Sequence, residues 1–286
     1  MRRTMLYLPG NNPNMLTRGY LFGSDGIILD LEDAVAMVEK DTARILVSKY
    51  LQQGEFGDCY VSVRINGIDT EYWKDDLAAI VPNKRLDGIR VPKVEDENTV
   101  KIIDEELSRL EEQNGLPVGK LSLHCLLETA HGIWNAYEIA KASPRIEAII
   151  PGGEDLRADL KTNRSDDSTE LEWARRMLVF AARAAGVEPL DTVFARITDD
   201  EGLRKETEFI KQLGFSGKSI IHPNQIKIIH DIFTPTEQEI AKAQKIIAAA
   251  KEAAARGQGA VTVDGKMVDI PVVKRAEYTL VRAGLA

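Results

Sequence analysis

The sequence predicts a (β/α)8 barrel, α/β in class, carrying a C-terminal extension of helix and hairpin. Short β-rich runs alternate with longer helical segments from end to end, which is the pattern of parallel strands joined by crossover helices. The number of such runs is close to eight. Charged or polar residues follow run after run, as they do where many strand ends converge on the C-terminal face of a closed barrel. An open sheet would gather its site at one switch point instead.

Taken in order, the expected strands are Met5 to Leu8, Gly26 to Leu31, Tyr60 to Ile65, Gly88 to Val91, Leu121 to Leu127, Glu147 to Ile150, Thr192 to Ile197 and Lys218 to Ile221. Several are continuous apolar runs without clean alternation, as in parallel strands covered on both faces. Just beyond them stand Asp30, Glu32 and Asp33; Arg64 and Asn66; Lys93; Glu128; Glu154 and Asp155; Arg196; and His222 and Asn224. Among the helical segments, Thr99 to Gln113 places Val100, Ile103, Leu107 and Leu110 at the three- and four-residue spacing of one buried face.

After the repeats, Thr236 to Gly257 reads as an Ala- and Lys-rich helix ended by Gly257. Val261 to Pro271 reads as a hairpin turning at Asp264-Gly265, and a last helix runs from about Val272 to Arg282. The expected division is a catalytic barrel over residues 1–232 and an extension over residues 233–286 that packs on a neighbouring subunit.

The chain has 286 residues and is 44% hydrophobic, enough for one large core. Its 37 basic and 45 acidic side chains give a formal charge of −8 without a long basic run, which argues against a nucleic-acid partner. The apolar stretch after Arg2-Arg3 reaches Pro9-Gly10 within a few residues, too short for a signal core or a membrane span. Cys59 and Cys125 each sit in a strand-like run and read as buried free thiols, which places the chain in a reducing cytoplasm.

Glu128 closes the run LSLHCLLE and Asp155 follows EAIIPGGE, so two carboxylates stand just beyond successive strands. Hard oxygen ligands without a Cys/His cluster favour Mg²⁺ over zinc, with water and substrate filling the remaining positions. The plain alternative is that each carboxylate caps a helix or pairs with a cation. Arg64 could clamp a substrate carboxylate through two parallel hydrogen bonds, or form a structural ion pair with Asp30, Glu32 or Asp33. The cluster of Asp30, Glu32 and Asp33 could hold a second metal, orient water on the first or neutralise Arg64 and Lys93, and it reads as support in preference to direct ligation. Gly152-Gly153 permits close approach of a ligand to the backbone, and a helix starting there would favour anions. None of His124, His131, His222 and His230 is at a metal-binding spacing, and all four read as structural or surface residues. Asp269, out in the extension, reads by itself as a turn or cap residue.

The segments RRTMLYLPGNNPNML, DGIILDLEDAV, SVRINGIDT, IRVPKVE, LLETAHGIWNAYEIAKASPR, GGEDLRADL, GFSGKSIIHPNQI and DGKMVDIP, in this order and spacing, resemble the citrate lyase beta subunit family of the citrate lyase and HpcH-type aldolase superfamily. The resemblance runs essentially the full length. It implies that Glu128 and Asp155 bind Mg²⁺ and that Arg64 contacts substrate; Glu128, Asp30 and Lys93 are expected to join Arg64 in substrate binding. It implies also that Asp269 transfers a proton in the site of an adjacent subunit, as in relatives acting on malyl- and citramalyl-coenzyme A. Pro151-Gly152-Gly153 and the stretch from Leu156 to Arg164 depart from the family pattern, so the acyl group stays open.

The activity so implied is Mg²⁺-dependent carbon–carbon cleavage of a 3-hydroxy-3-carboxyacyl thioester, citryl-carrier to oxaloacetate and acetyl-carrier. The thioester sits on acyl carrier protein or coenzyme A, and the assembly is a homotrimer, alone or within a larger citrate lyase complex. Two alternatives stand beside it: a free-standing malyl- or citramalyl-coenzyme A lyase, and a non-catalytic scaffold subunit. A Schiff base on Lys93 is a further chemical alternative.

Overall fold

The computed structural model describes residues 2–285. Eight parallel strands close a barrel in sequence order: β1 (Thr4–Pro9), β2 (Gly26–Asp30), β3 (Tyr60–Arg64), β4 (Gly88–Val91), β5 (Ser122–Leu127), β6 (Ile146–Pro151), β7 (Glu188–Asp191) and β8 (Gly217–Ile220). Pairing of β8 with β1, Lys218 opposite Thr4 and Ile220 opposite Leu6, completes the ring.

Along each strand, alternate residues face in and out. Met5, Ile28, Leu126, Ala148, Ile150 and Leu190 form an apolar cluster inside the ring, with Tyr7 and Tyr60 packed against it. Outward residues such as Leu6, Ile27, Val61 and Ile89 are fully covered as well. This double burial is why the strands read as unbroken apolar runs. In the helix Glu97–Gln113, Val100, Ile103, Leu107 and Leu110 are all buried, each contributing about 1.5–3 kcal/mol. Asp96 fixes the start of that helix by accepting from the Thr99 backbone N–H.

The seventh strand corrects the sequence reading. It is Glu188–Asp191, and Thr192 to Ile197 lies in the loop beyond it. The cause is a buried charge network that makes the true strand look polar. Asp191 accepts from Arg175 Nε at 2.9 Å and from Lys218 Nζ at 2.6 Å, and Lys218 also reaches Glu206 at 2.7 Å. Arg175, Asp191 and Lys218 have essentially no exposed surface. Burial opposes the Glu206 charge, but Lys218 and Arg175 outweigh it and hold the carboxyl at about 2. Charges that cancel in register, Asp191 opposite Lys218, thus replace the expected aliphatic pair.

The chain divides into two compact units, Arg2–His230 and Asp231–Ala286. The second unit contains the helix Glu237–Ala255, the hairpin strands β9 (Val261–Val263) and β10 (Lys266–Val268), and the helix Ile270–Arg282. Thr236 and Glu239 form a reciprocal capping box at the first helix. Asp264 and Gly265 both take positive φ, 50° and 73°, as a tight two-residue hairpin turn demands. Met267, Ile270, Tyr278, Val281 and Leu285 of this unit are exposed. Cys59 and Cys125 are free and buried, and among the described residues no helix is long and apolar enough to cross a membrane.

Candidate functional site

A cavity of about 420 Å³ opens at the C-terminal ends of the barrel strands. It gathers Asp30 from β2, Arg64 from β3, Glu128 just past β5 and Asp155 from the helix Gly153–Asp159, with Asp33 on its wall. A larger cavity, about 690 Å³, lies between the segment containing Asp166 to Glu172 and the helix Asp200–Leu213. Its lining includes none of these strand-end groups.

Glu128 is buried, and its Oε2 accepts from the Lys93 backbone N–H at 2.9 Å. Lys93 makes that donation from a left-handed backbone, φ 51°, unusual for a residue with a side chain. Burial pushes the Glu128 carboxyl up to about 7; the Asp155 charge adds to this, while Arg64 and the Lys93 N–H work against it. Asp155 is raised as well, first by burial and then by Asp33.

Gly152-Gly153 serves a different purpose from the one expected. A β-carbon on Gly152 would lie 2.6 Å from Glu128 Oε1 and overlap its Cγ. The close approach is therefore to the Glu128 side chain, and Gly153 N–H is taken by Thr192 Oγ1 at 3.0 Å. The following helix is only seven residues long.

Arg64 is held in an acidic cage. Nε and Nη2 donate to the two oxygens of Asp30 at 2.7 and 2.6 Å, and Nη1 donates to Asp33 at 3.1 Å and stands 2.9 Å from Glu32 Oε2. The structural ion pairs are thus all present, and the Nε/Nη2 fork is filled by Asp30. Asp30 also accepts from the backbone N–H groups of Glu32 and Ala34, so it spends its acceptor positions on protein donors and acts by holding Arg64. Asp33 is the exposed member of the cage, 62% accessible at its side chain, and can yield Nη1 to a ligand.

Glu32 is buried, and neither carboxylate oxygen has a hydrogen bond of acceptable geometry. Burial pushes its pKa to about 8, with Arg64 opposing and Asp33, Glu128 and Asp30 adding to the rise. Lys93 Nζ is 3.7 Å from Glu32 and its side chain is about half exposed. Burial is the largest single influence and lowers the pKa of the ammonium, but Glu32, Asp69, Asp33 and Glu128 together outweigh it and raise it. A lysine kept more firmly protonated is a poor Schiff-base nucleophile.

The remaining expected residues fall elsewhere. Asp269 caps the helix Ile270–Arg282 in the second unit, accepting from Val272 N–H at 3.3 Å. His124 is sealed inside the barrel and stacked on Tyr60; His131 and Asn135 are joined at 3.1 Å, His222 accepts from Asn224 N–H, and His230 bonds to Thr4. Tyr7, Thr192 and Ser219 line the cavity without having been picked out from the sequence. For Tyr7 and Ser219 the only signal was the inward phase of their strands, and Thr192 lies in the loop just past β7.

The donor set fits a hard divalent cation. Glu128 and Asp155 converge on one cavity, and the charge of Asp155 opposes ionisation of Glu128, a repulsion that a cation between them would reverse. Among the described residues no group of three or more His, Cys, Asp or Glu side chains is placed to hold a metal. An ion here would therefore take its other ligands from water and substrate.

The HpcH/HpaI aldolase/citrate lyase family model matches residues 3–223. The citrate lyase subunit beta of Leuconostoc mesenteroides subsp. cremoris is 46% identical over 280 residues, covering 98% of this chain and 92% of that protein. A (3S)-malyl-CoA thioesterase of Cereibacter sphaeroides (strain ATCC 17025 / ATH 2.4.3) is 37% identical, covering 98% of this chain and 94% of that protein. The crystal structure of protein CitE from Mycobacterium tuberculosis, in complex with magnesium, acetoacetate and coenzyme A, matches with TM-score 0.80 at 30% identity, over 99% of this chain and 98% of that one. The matched segment runs from β1 through β8 and so contains the whole ring and its carboxylate site, and this chain belongs to the HpcH/HpaI aldolase/citrate lyase family.

Proposed function

We propose that this chain is a Mg²⁺-dependent carbon–carbon lyase that cleaves a 3-hydroxy-3-carboxyacyl thioester, with a citryl thioester giving oxaloacetate and an acetyl thioester. The observation that carries the reading is the pairing of buried Glu128 with Asp155 in one strand-end cavity that also presents Arg64. Supporting it are a Leuconostoc relative named citrate lyase subunit beta and a Mycobacterium homologue in complex with magnesium, acetoacetate and coenzyme A.

Bound Mg²⁺ supplies Lewis-acid polarisation of the substrate hydroxyl and the carboxylate beside it. Glu128 and Asp155 hold the ion, with Glu128 kept in place by the Lys93 N–H and the missing side chain of Gly152. Asp30 locks the Arg64 fork, so the Nη1/Nη2 edge is the one that meets the substrate carboxylate, in exchange for exposed Asp33. Removal of the hydroxyl proton breaks the carbon–carbon bond; the electron pair passes to the thioester as an enolate, and protonation of that carbon gives the acetyl thioester. Asp269 of a neighbouring subunit moves the proton in this reading, a contribution of about 10²- to 10⁴-fold.

A homotrimer in the cytoplasm, with the extension packed on a neighbour, accounts for the exposed Met267, Ile270, Tyr278, Val281 and Leu285 on the second unit. The (3S)-malyl-CoA thioesterase relative keeps a second reading in view, a free-standing enzyme of malyl- or citramalyl-coenzyme A. One experiment decides. The purified chain with Mg²⁺ is given citryl-, citramalyl- and malyl-thioesters on acyl carrier protein and on coenzyme A, and the released 2-oxoacid is identified. Oxaloacetate release is expected. Full activity in EDTA, or no cleavage of any thioester, removes the proposal, and the latter result favours a scaffold subunit.

A further inference from the structure

Two tiers of side chains meet at the cavity. Glu128 and Gly152 stand at its rim, and two residues earlier on the same strands Leu126 and Ile150 form its floor, roughly 6–7 Å deeper along the barrel. Tyr7 of β1 and Ser219 of β8 line the same cavity. Beneath them lies Arg90 of β4, with no exposed surface at all.

Arg90 Nη1 donates to Tyr7 Oη at 3.2 Å and to Ser219 Oγ at 2.8 Å. Its Nε and Nη2 are buried without a hydrogen-bond partner, and among the described residues no carboxylate pairs with it. Arg64, one strand over and opposite it in register, has three acidic partners by contrast. A guanidinium stripped of water and left without a counter-ion is among the costliest groups a fold can bury. Both hydroxyl partners of Arg90 line the strand-end cavity, so they connect the guanidinium to the cavity floor. Because both hydroxyl oxygens accept from Arg90, their hydrogens are free to be donated upward.

We infer that Arg90, acting through Tyr7 and Ser219, makes the cavity floor a recognition site for a second substrate carboxylate. The inference rests on the proposed reaction, which holds the carbinol carbon, its hydroxyl and its carboxylate at the rim. Of the two substituents that remain, the acyl arm must lead out of the cavity to its carrier, and the other points down. A carboxymethyl group, as in a citryl thioester, reaches the two hydroxyl donors and meets the charge of Arg90. A methyl or hydrogen, as in citramalyl or malyl thioesters, leaves both donors and the cation unmet. Sites built to hydrogen-bond a substrate group reject the analogue lacking it far more strongly than apolar pockets reject a missing methylene. Arg90 is a positioning residue, and Tyr7 and Ser219 are the groups in contact.

The test compares the wild type with Tyr7→Phe/Ser219→Ala, which keeps the shape of the floor, and with Arg90→Met and Arg90→Lys. Two readouts are taken with Mg²⁺ present: kcat/KM for citryl against citramalyl thioester, and calorimetric affinity for oxaloacetate against pyruvate. The double variant and Arg90→Met are expected to lower the citryl-to-citramalyl ratio by about 100-fold and to erase the preference for oxaloacetate, with Arg90→Lys restoring part of both. An equal loss for both thioesters, or an unchanged ratio, overturns the inference. If the wild type cleaves neither thioester, the proposed reaction fails. The affinity pair then decides the floor alone: a wild-type preference for oxaloacetate lost in the variants supports it, and no preference overturns it.

Discussion

Gly152 stands so close to Glu128 that a β-carbon on it would lie 2.6 Å from Oε1 of the carboxylate. The backbone of one strand end thus forms the wall against which the side chain of its neighbour is set. Gly152→Ala is expected to fold, because its φ of −89° is open to any residue, but to displace Glu128. A fall in Mg²⁺ affinity of about 10- to 100-fold should follow, the range typical of losing a group that orients a ligand. Calorimetric titration with Mg²⁺ checks this, and wild-type affinity would count against the packing argument.

Asp269 caps a helix, so its replacement must separate capping from chemistry. Asparagine caps as well as aspartate, whereas alanine gives up about 1 kcal/mol. Asp269→Asn is therefore expected to keep the melting temperature and Mg²⁺ affinity while cutting turnover by about 10²-fold or more. Mixing Asp269→Asn with Glu128→Ala subunits should recover part of the activity if each site draws on two chains. Unchanged turnover in the asparagine variant removes Asp269 from the mechanism.

His124 gives the stability a pH dependence. Complete burial lowers its pKa to about 4; Glu147 pulls the other way, and the charges of Arg90 and Arg2 add to the lowering. Above about pH 6.5 the ring is neutral in both folded and unfolded chains and contributes nothing. Below that value the unfolded chain takes up a proton that the folded one refuses, so stability falls by roughly 3 kcal/mol by about pH 4. Glu147, held at about 2 chiefly by His124, loses its stabilising effect only below about pH 4.5. Between pH 6.5 and 4.5 Glu147 is constant, whereas Glu32 and Glu128, raised to about 8 and about 7, add stability as the pH falls. The imidazole is therefore isolated by the difference between wild type and a His124 variant. Melting curves of wild type and His124→Gln across this interval should diverge, with the wild type losing more; parallel curves would refute the assignment.

Asp191 is the shared counter-ion of Arg175 and Lys218. Asp191→Ala leaves two fully buried cations with Glu206 alone, at an expected cost of about 3–5 kcal/mol. Asp191→Leu combined with Lys218→Met should return much of that loss, because hydrophobic replacement of a buried pair is often neutral. Denaturant melts of the single and double variants check both statements.

Seven of the eight expected strands overlap the observed ones, because parallel strands covered on both faces are written in aliphatic residues. The strand Glu188–Asp191 was hidden because its outward charge, Asp191, is cancelled by Arg175 and Lys218 from other elements, a pairing that a linear sequence does not display. The convergence of Glu128, Asp155 and Arg64 on one cavity was legible from strand-end position. The cage around Arg64 had been one of two readings of that residue, and the real neighbour of Gly152 needed three dimensions. Tyr7 and Ser219 escaped notice because a hydroxyl inside an apolar run looks like packing until the layer beneath it proves to hold an arginine.

The crowding of five acids, Asp30, Glu32, Asp33, Glu128 and Asp155, against three cations, Arg64, Lys93 and Lys40, sets an order of events. An anionic substrate arriving first would meet a rim whose acids outnumber its bases, and would be turned back by it. A divalent cation arriving first inverts that balance and converts the rim from a repellent into an attractor. Binding should accordingly be compulsory-ordered, ion before acyl thioester, and the concentration of free cation should govern the association rate of the substrate as well as its affinity.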